Sequence, residues 1–251
     1  MSKSDSMSKS AALLAKSHYG IRPDYVARDE ALTFVDDPAD YWTPKRRRMA
    51  EYYQHYVYTH AASLMASRGY TSCLDVGCGF PAKARKWLLP IATRVTLVDQ
   101  PSMTRMVAEA CPEIPFVPLD LENPQHEFDE KFQCVVCADV IEHLLDPDAL
   151  LSFLLQAVAD DGVVILSTPD RDVQRGRACL QSPKVEHVRE WNVTEFRNYL
   201  DSSGFEVVEH QNIPIGRLTG LEEALLPALR RTRLPRYIGC QMVVCRPKER
   251  K

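Results

Sequence analysis

The sequence predicts a doubly wound α/β domain whose seven-stranded, mostly parallel sheet is covered by helices on both faces, with a helical lid at the N-terminus. From residue 72 onward, apolar strand-like runs alternate with helical patterns, as is typical of a parallel sheet covered on both faces. A length of 251 residues with 45% hydrophobic content suffices for one large domain with its own core. We expect residues 41–251 to form that domain, and residues 1–40 to form a tail and lid that are partly disordered.

The N-terminal segment has two parts. The first ten residues are polar, with no apolar core of the kind found in a signal peptide, so a disordered tail is expected. Residues 45–68 fit one amphipathic helix, because large side chains recur at helical spacing from Met49 to Leu64. Gly69 then stands where a C-terminal cap is expected.

The alternation that follows supplies the central elements. The strand candidates are Ser72–Val76, Arg94–Val98, Pro115–Leu119, Phe132–Ala138 and Val163–Thr168. The helix candidates are Ala82–Leu89, Ser102–Ala110, Pro147–Ala159 and Val193–Ser203. Asp146 is an N-cap residue before a proline at the first helical position, and Asn192 with Glu195 resembles a capping box.

Two late strands complete the predicted sheet, at Phe205–Glu209 and Gln241–Cys245. Roughly thirty residues separate them, which is too long for a simple hairpin loop. The insert at about 212–238 is therefore expected to form a cap or an oligomer contact, and a homodimer is possible.

Composition limits the classes of function. A formal net charge of −3 gives no global attraction to nucleic acid or to acidic membranes. The basic runs at residues 45–48 and 230–233 are expected to be solvated helix faces. No apolar stretch approaches the roughly 20 residues needed to span a bilayer. Cys134 and Cys137 fall on opposite faces of a strand and cannot easily pair, so we predict reduced thiols and a cytoplasmic protein.

The most informative segment is residues 73–79 (CLDVGCG), an apolar run that ends in an acid and two glycines. Glycines after a buried strand let backbone N–H groups approach a nucleotide-like ligand. Residues 77–82 (GCGFPA) also satisfy a dinucleotide fingerprint, with Asp99 22 residues after Gly77. Asp75, however, would repel a pyrophosphate and suits a ligand with an ammonium group, such as S-adenosylmethionine (SAM).

Residues 70–210 resemble the class I SAM-dependent methyltransferases, on motifs in the family's order. Residues 74–79 (LDVGCG) match the first motif, 95–99 (VTLVD) the second strand, 117–121 (VPLDL) the adenine-contacting segment and 135–144 (VVCADVIEHL) the fourth motif. One departure is Pro81, where the family has a third glycine, and an altered loop is expected there. The resemblance implies cofactor binding by Asp75, Gly77, Cys78, Gly79, Asp99, Gln100, Asp120, Leu121 and Asp139.

The candidate residues for acting on the methyl acceptor lie in the motif Asp139-x-x-Glu142-His143. It resembles ubiquinone-pathway O-methyltransferases and small-RNA 2′-O-methyltransferases, in which such residues join a later histidine to hold Mg²⁺ or a related ion. His187 matches that histidine by position, after residues 167–169 (STP) and before Trp191. The resemblance implies catalysis by Glu142, His143 and His187, and metal binding by Asp139, Glu142, His143 and His187.

Other interpretations stay open. His143 could act as a base without metal, His187 could hydrogen-bond a substrate hydroxyl, and Arg189 could pair with an acidic group. Arginines and a lysine at 171, 175, 177 and 184 could form a basic rim for an anionic acceptor, or they could be solvated. We predict O-methylation of a small hydroxylated molecule, such as a sugar, a glycoside or a phenol- or quinone-type natural product. The alternatives are metal-assisted 2′-O-methylation of an RNA end and, remotely, NAD(P)-dependent oxidoreduction.

Overall fold

The computed structural model describes residues 19–31 and 41–248 and contains the seven-stranded, mostly parallel sheet that was predicted. The strands are β1 Ser72–Val76, β2 Arg94–Asp99, β3 Phe116–Pro118, β4 Phe132–Ala138, β5 Val158–Pro169, β6 Phe205–Ile213 and β7 Cys240–Pro247. Their order across the sheet is β3-β2-β1-β4-β5-β7-β6. β7 is antiparallel to both β5 and β6, and the other neighbours are parallel.

Helices connect these strands. The α-helices are α1 Pro44–Met49, α2 His55–Arg68, α3 Thr104–Ala110, α4 Pro147–Ala157, α5 Arg171–Gln174, α6 Val193–Ser202, α7 Leu221–Ala224, α8 Leu226–Leu229 and α9 Pro235–Ile238. A π-helical turn forms at Ala84–Leu88, and 3₁₀ turns form at Pro101–Met103, Ile141–His143 and Arg230–Thr232. Asp146 caps α4, and Asn192 forms the predicted capping box with Glu195 at the start of α6.

Each face of the sheet carries its own apolar core. One core contains Leu74 and Cys137 with residues of α4 and α6, and the other contains Cys73 and Cys134 with residues of α2, α3 and the π-helical turn. Successive strand side chains alternate between these two cores. Cys134 and Cys137 therefore lie on opposite faces, as predicted.

The single helix predicted over residues 45–68 is wrong. The chain forms α1 and α2 instead, and Gln54 between them has a left-handed backbone with φ of 52°. That conformation interrupts helical hydrogen bonding. Several strands also extend beyond their predicted ends: β5 begins at Val158, where α4 was expected to continue, and β6 runs to Ile213.

The predicted tail and lid at 1–40 lie partly outside the described residues, and so does the polar stretch at 1–10. The described part, residues 19–31, packs against the domain through buried Ile21 and Tyr25. The indole of Trp191 donates to the carbonyl of Tyr19 at 2.8 Å, and the N–H of Val26 donates to Leu180. Hydrogen bonds to Trp191 and Leu180 therefore attach this segment to the part of the chain that precedes α6.

The late insert covers the segment between α1 and α2. Gly216 bridges to Tyr53, the N–H of Arg217 donates to the carbonyl of Tyr52 at 2.8 Å, and Tyr56 donates to Glu223 at 2.7 Å. Because β6 extends to Ile213, the insert is shorter than predicted and begins at residue 214. Its cap-like position places it beside the site described below. Within the described residues, no helix has the length and apolar character required to cross a bilayer.

Candidate functional site

Two cavities lie at the carboxyl ends of β1 and β4, where the strand order reverses and ligands bind in open α/β sheets. The small cavity, of about 190 Å³, lies over β1 and β2, and the large cavity, of about 530 Å³, lies over β4 and β5. The cavities share four lining residues, namely Tyr41, Trp42, Asp139 and His143. A ligand in one cavity can therefore touch a ligand in the other only across this shared wall.

The small cavity brings together seven of the nine residues predicted to bind the cofactor. They are Gly77, Gly79, Asp99, Gln100, Asp120, Leu121 and Asp139. Each follows the end of β1, β2, β3 or β4, and the carboxyl ends of parallel strands meet at one edge of a sheet. The sequence motifs therefore converge because the topology places their strands side by side.

The glycine loop follows β1 and requires its glycines. Gly77 and Gly79 have φ of 70° and 55°, in the left-handed region that favours glycine. A Cβ on Gly77 would lie 2.3 Å from Val140, and one on Gly79 would lie 2.6 Å from Trp42. Trp42 therefore packs directly on the glycine loop.

Asp99 ties the glycine loop to β2. Its two carboxylate oxygens each accept a backbone N–H, from Gly79 and from Gln100, both at 2.7 Å. Burial raises the pKa of Asp99, and these two N–H donors partly offset the rise. Each carboxylate oxygen has a second lone pair, so Asp99 can still accept hydrogen bonds from two neighbouring hydroxyls.

Asp75 and Cys78 line neither cavity, in contrast to the expectation that Asp75 faces the ligand. Asp75 is only 1% exposed, and both of its carboxylate oxygens lie within hydrogen-bonding distance of the Tyr58 hydroxyl, at 2.8 and 3.0 Å. Burial raises the pKa of Asp75 to about 7, against the opposing effects of Tyr58 and Lys83. Asp75 thus lies beneath the loop, where it contacts α2, because Tyr58 covers the side of the strand from which it projects.

The large cavity is assembled from six segments distant in sequence. They are the α1 region, the start of the helical segment after the glycine loop, the turn after β4, the end of β5 with the loop that follows it, the insert and the start of β7. Asp139 projects into it with φ of 54°, and its carboxylate accepts from Ser167 at 2.6 Å and from Gln54 at 2.9 Å. Asp139 and Gln54 both have left-handed backbones, and such strain persists only where surrounding contacts fix it.

Glu142, His143 and His187 converge on the large cavity. One possible ligand atom of each lies within 4.8 Å of those of the other two. The two imidazole rings meet edge to face, with centroids 4.8 Å apart. Glu142 is 1% exposed and accepts from Thr168 at 3.0 Å. Side chains from the turn after β4 and from the loop after β5 therefore lie next to one another in this cavity.

Each of the two histidines has an oxygen acceptor at its Nδ1 atom. Nδ1 of His143 lies 2.7 Å from the carbonyl of Glu186, which can only accept, so this nitrogen carries the proton. Nδ1 of His187 lies 2.6 Å from the Glu190 carboxylate. Burial alone would raise the pKa of Glu190, but hydrogen bonds from His187 and Arg175 lower it to about 2. Glu190 is therefore an ionised acceptor for the Nδ1 proton of His187.

Burial governs the charge of the cluster. Burial lowers the pKa of His143 to about 4, with a further decrease from the neighbouring His187. Burial also raises the pKa of Glu142 well above its usual range, and the charge of Asp139 adds to the rise. Both shifts favour the uncharged forms of Glu142 and His143 at neutral pH. A cation bound here would favour the ionised form of Glu142 and would have to displace its proton.

The predicted four-residue metal set needs a correction. Among the described residues, the group able to share an ion contains Glu142, His143 and His187, and Asp139 lies outside it. Both carboxylate oxygens of Asp139 are instead engaged by Gln54 and Ser167. Two imidazoles and one carboxylate remain a chemically sensible donor set for a divalent transition metal.

Of the two interpretations left open for the basic residues after β5, neither fits Arg171 or Arg175, because both side chains form ion pairs inside the protein. Arg171 is 1% exposed and binds Glu195 and Asp172, while Arg175 binds Glu190. Arg189, which was considered as a partner for a substrate acid, donates to the carbonyls of Leu144 and Leu145. These arginine side chains therefore form ion pairs and hydrogen bonds within the protein. Lys184 does line the large cavity.

Sequence reasoning missed several lining residues. Tyr41 and Trp42 precede α1, and nothing local indicates that they fold back over the glycine loop. Lys83 lines the large cavity although its neighbours Arg85 and Lys86 are exposed, as in an ordinary surface helix. Glu190 had a local signal, because it follows His187 by three residues and the two side chains can meet on one turn.

Comparison with known proteins identifies the family. A family profile described as a methyltransferase domain matches residues 35–210, which is more than half of the chain. The chain belongs to the methyltransferase domain family. Membership confirms the predicted family of SAM-dependent methyltransferases and removes the basis for the oxidoreductase alternative.

Relatives and solved structures agree with this assignment. Over 157 residues the methyltransferase is 27% identical to the ubiquinone biosynthesis O-methyltransferase of Rickettsia bellii, covering 59% of this chain and 63% of that protein. The chain thus spans less than two thirds of the length of the curated relatives it matches.

Two solved structures share the fold. One is a methyltransferase in complex with the Haloferax volcanii Trm112 methyltransferase activator, with a TM-score of 0.66 at 16% identity over 85% of this chain and 97% of that one. The other is the Burkholderia thailandensis 1,6-didemethyltoxoflavin-N1-methyltransferase with its bound acceptor and S-adenosylhomocysteine. Its TM-score is 0.53 at 16% identity over 90% of this chain and 95% of that one.

Proposed function

We propose that this methyltransferase transfers the methyl group of SAM to a hydroxyl group of a small molecule held in the large cavity. The observation that carries the proposal is the shared wall between the two cavities. Adenosine bound at Asp99 and Asp120 in the small cavity would direct the sulfonium toward Asp139 and His143. An acceptor in the large cavity would then approach the methyl group from the opposite side.

The likeness to an O-methyltransferase of ubiquinone biosynthesis supports oxygen as the methylated atom. Methyl transfer from a sulfonium is a direct displacement, so the enzyme must align the hydroxyl oxygen with the methyl carbon. Alignment of this kind can contribute several kcal/mol to lowering the barrier. The volume of about 530 Å³ suits a drug-sized molecule. That volume favours a small acceptor over an RNA end.

We further propose that Glu142, His143 and His187 hold a divalent cation. The fit rests on their geometry, since one possible ligand atom of each residue lies within 4.8 Å of those of the other two. A histidine ligand whose other nitrogen donates to a carboxylate or carbonyl is the usual arrangement at metal sites. A bound cation would lower the pKa of an acceptor hydroxyl. Without a metal, the same neutral His143 would accept the hydroxyl proton directly.

The function is tested by incubating the enzyme with tritiated SAM and a panel of catechols, phenols, glycosides and an RNA oligonucleotide. Mass spectrometry of the product locates the methyl group. We expect an O-methylated small molecule. Transfer to nitrogen, transfer to RNA alone, or no transfer to any hydroxyl would contradict the proposal.

Metal binding is tested through Glu190, which contacts His187 but is not in the proposed ligand set. Glu190→Gln is expected to weaken Mn²⁺ or Zn²⁺ binding about 10- to 100-fold, because the imidazole loses its anionic partner. Calorimetric titration of the metal-stripped enzyme measures this change. Glu195→Gln is the matched control, because its carboxylate binds Arg171 rather than a histidine. Equal affinity in wild type and Glu190→Gln, or no binding by wild type, would contradict a metal site.

A further inference from the structure

Lys83 is a buried lysine that the proposed reaction has not used. It is 5% exposed, directly precedes the π-helical turn, and lines the large cavity. Its ammonium lies 5.2 Å from the centroid of the Tyr58 ring. Among the described residues it makes no hydrogen bond or ion pair. Lysine is almost never buried without a partner, so an ammonium of this kind calls for an anion.

Acidic side chains surround Lys83 without binding it. Burial lowers the pKa of Lys83, while the nearby carboxylates of Asp75 and Asp139 act to raise it. Asp75 already accepts from Tyr58, and Asp139 accepts from Gln54 and Ser167. The lining of the large cavity therefore contains both an ammonium group, from Lys83, and a carboxylate, from Asp139. That pair complements a zwitterion, which carries one anionic and one cationic group on adjacent atoms.

The cofactor has one zwitterionic end, the α-amino acid group of its methionine half. In the proposed reaction its adenosine occupies the small cavity, and its sulfur lies at the shared wall beside Asp139. The amino acid chain must continue from that sulfur past the glycine loop. Lys83 lies four residues after Gly79, at the start of the helical segment that follows this loop, and lines the cavity on the far side of Asp139.

We propose that Lys83 binds the α-carboxylate of the cofactor, with Asp139 facing its α-ammonium. This assignment rests on the proposed function, since it requires SAM to span the shared wall. It gives a role to the altered loop after Gly79. Pro81 ends the glycine loop, its carbonyl accepts from the N–H of Arg85, and helical backbone begins at the next residue, so Lys83 is fixed at the start of that helix.

The test compares S-adenosylhomocysteine with its carboxyl methyl ester, which lacks only the negative charge at that end. Dissociation constants are measured by calorimetry for wild type, Lys83→Met and Lys86→Met. Lys86 is the matched control, an exposed lysine three residues further on that pairs with Glu51. Wild type and Lys86→Met are expected to prefer the free acid about 10- to 100-fold, as for a charged hydrogen bond. In Lys83→Met the preference should fall below about threefold.

The outcomes separate this inference from the proposed function. If wild type binds neither ligand, the SAM-based function itself fails. If wild type prefers the free acid and Lys83→Met keeps the same preference, only the assignment of Lys83 is wrong. If Lys83→Met leaves both dissociation constants unchanged but raises KM for the acceptor, Lys83 serves an anionic acceptor, and the assignment is again overturned.

5′-Methylthioadenosine, which lacks the amino acid end, is the control for folding. It should bind wild type and Lys83→Met equally, which verifies a folded adenosine site. If Lys83→Met does not fold, equal affinities of wild type for the acid and the ester still overturn the assignment.

Discussion

The two cavities of this methyltransferase are built in different ways. The small cavity is lined mainly by residues that directly follow the ends of β1, β2, β3 and β4, and each of them belongs to a short local motif. The large cavity draws its lining from segments as far apart as Tyr41 and Cys240. Adjacent strand ends form the first, while loops and the insert form the second.

In the proposed function, this difference corresponds to the two substrates of the reaction, the methyl donor and the acceptor. A cavity formed at strand ends is fixed by the sheet, which suits a donor that is the same for every family member. A cavity formed by loops can change its lining without altering the sheet, which suits an acceptor that differs among relatives. Of the four residues that line both cavities, Asp139 and His143 are the two that follow a strand of the sheet, β4.

The largest expected effect comes from His143→Ala. Turnover should fall by about 10³-fold, because the variant lacks either the base or a metal ligand beside the acceptor. The dissociation constant of S-adenosylhomocysteine should stay within about threefold of wild type. Steady-state kinetics and calorimetry measure the two quantities, with His60→Ala as a control histidine that lines neither cavity. Retained turnover in His143→Ala would remove the catalytic role of this residue.

Asp99→Ala should show the opposite pattern. The variant loses the carboxylate that holds the N–H groups of Gly79 and Gln100 and that would accept the ribose hydroxyls. We expect S-adenosylhomocysteine to bind about 10- to 100-fold more weakly, as for loss of a charged hydrogen bond. Turnover at saturating SAM should fall less than in His143→Ala. Comparable losses of affinity in both variants would mean that the two cavities are not separate sites.

Asp75→Asn should alter stability with pH. Burial raises the pKa of Asp75 to about 7 in the folded protein, against about 3.9 in an unfolded chain. Between these values the native state binds the proton and the unfolded state does not, so the free energy of unfolding of wild type falls as pH rises from 4 to 7. Asn cannot titrate. The decrease in the free energy of unfolding with rising pH should therefore be smaller in the variant than in wild type, by up to about 4 kcal/mol. Urea unfolding at pH 4.5 and pH 7.5 measures the difference, and equal pH dependence in both proteins would contradict it.

The sequence predicted the small cavity well because its information is local. An apolar run that ends in Asp99 or Asp120 identifies both a strand and the polar residue at its end, and parallel topology then brings these ends together. Asp75 is the informative exception. Its motif position is correct, but its side chain meets Tyr58, which arrives from α2 and cannot be inferred from the residues around Asp75.

The large cavity was predicted only where its residues lie on a strand end or follow a family spacing. Asp139, Glu142, His143 and His187 were found in this way. Lys83 was not, because a lysine beside Arg85 and Lys86 has the pattern of an exposed helix, and only the packing of α2 buries it. Arg171 and Arg175 show the reverse case, in which residues with the pattern of an exposed loop form ion pairs inside the protein. They look like solvated loop residues, but Glu195 and Glu190 bind them from distant or buried positions.

The most direct test of the donor and acceptor assignment is a crystal structure with bound S-adenosylhomocysteine. We predict adenosine in the small cavity between Asp99 and Asp120, with the thioether sulfur at the wall formed by Asp139 and His143. The sulfur should face the large cavity, so that an acceptor oxygen there could approach a methyl carbon to about 3–3.5 Å. A sulfur that faces away from the large cavity, or an adenosine outside the small one, would contradict the assignment.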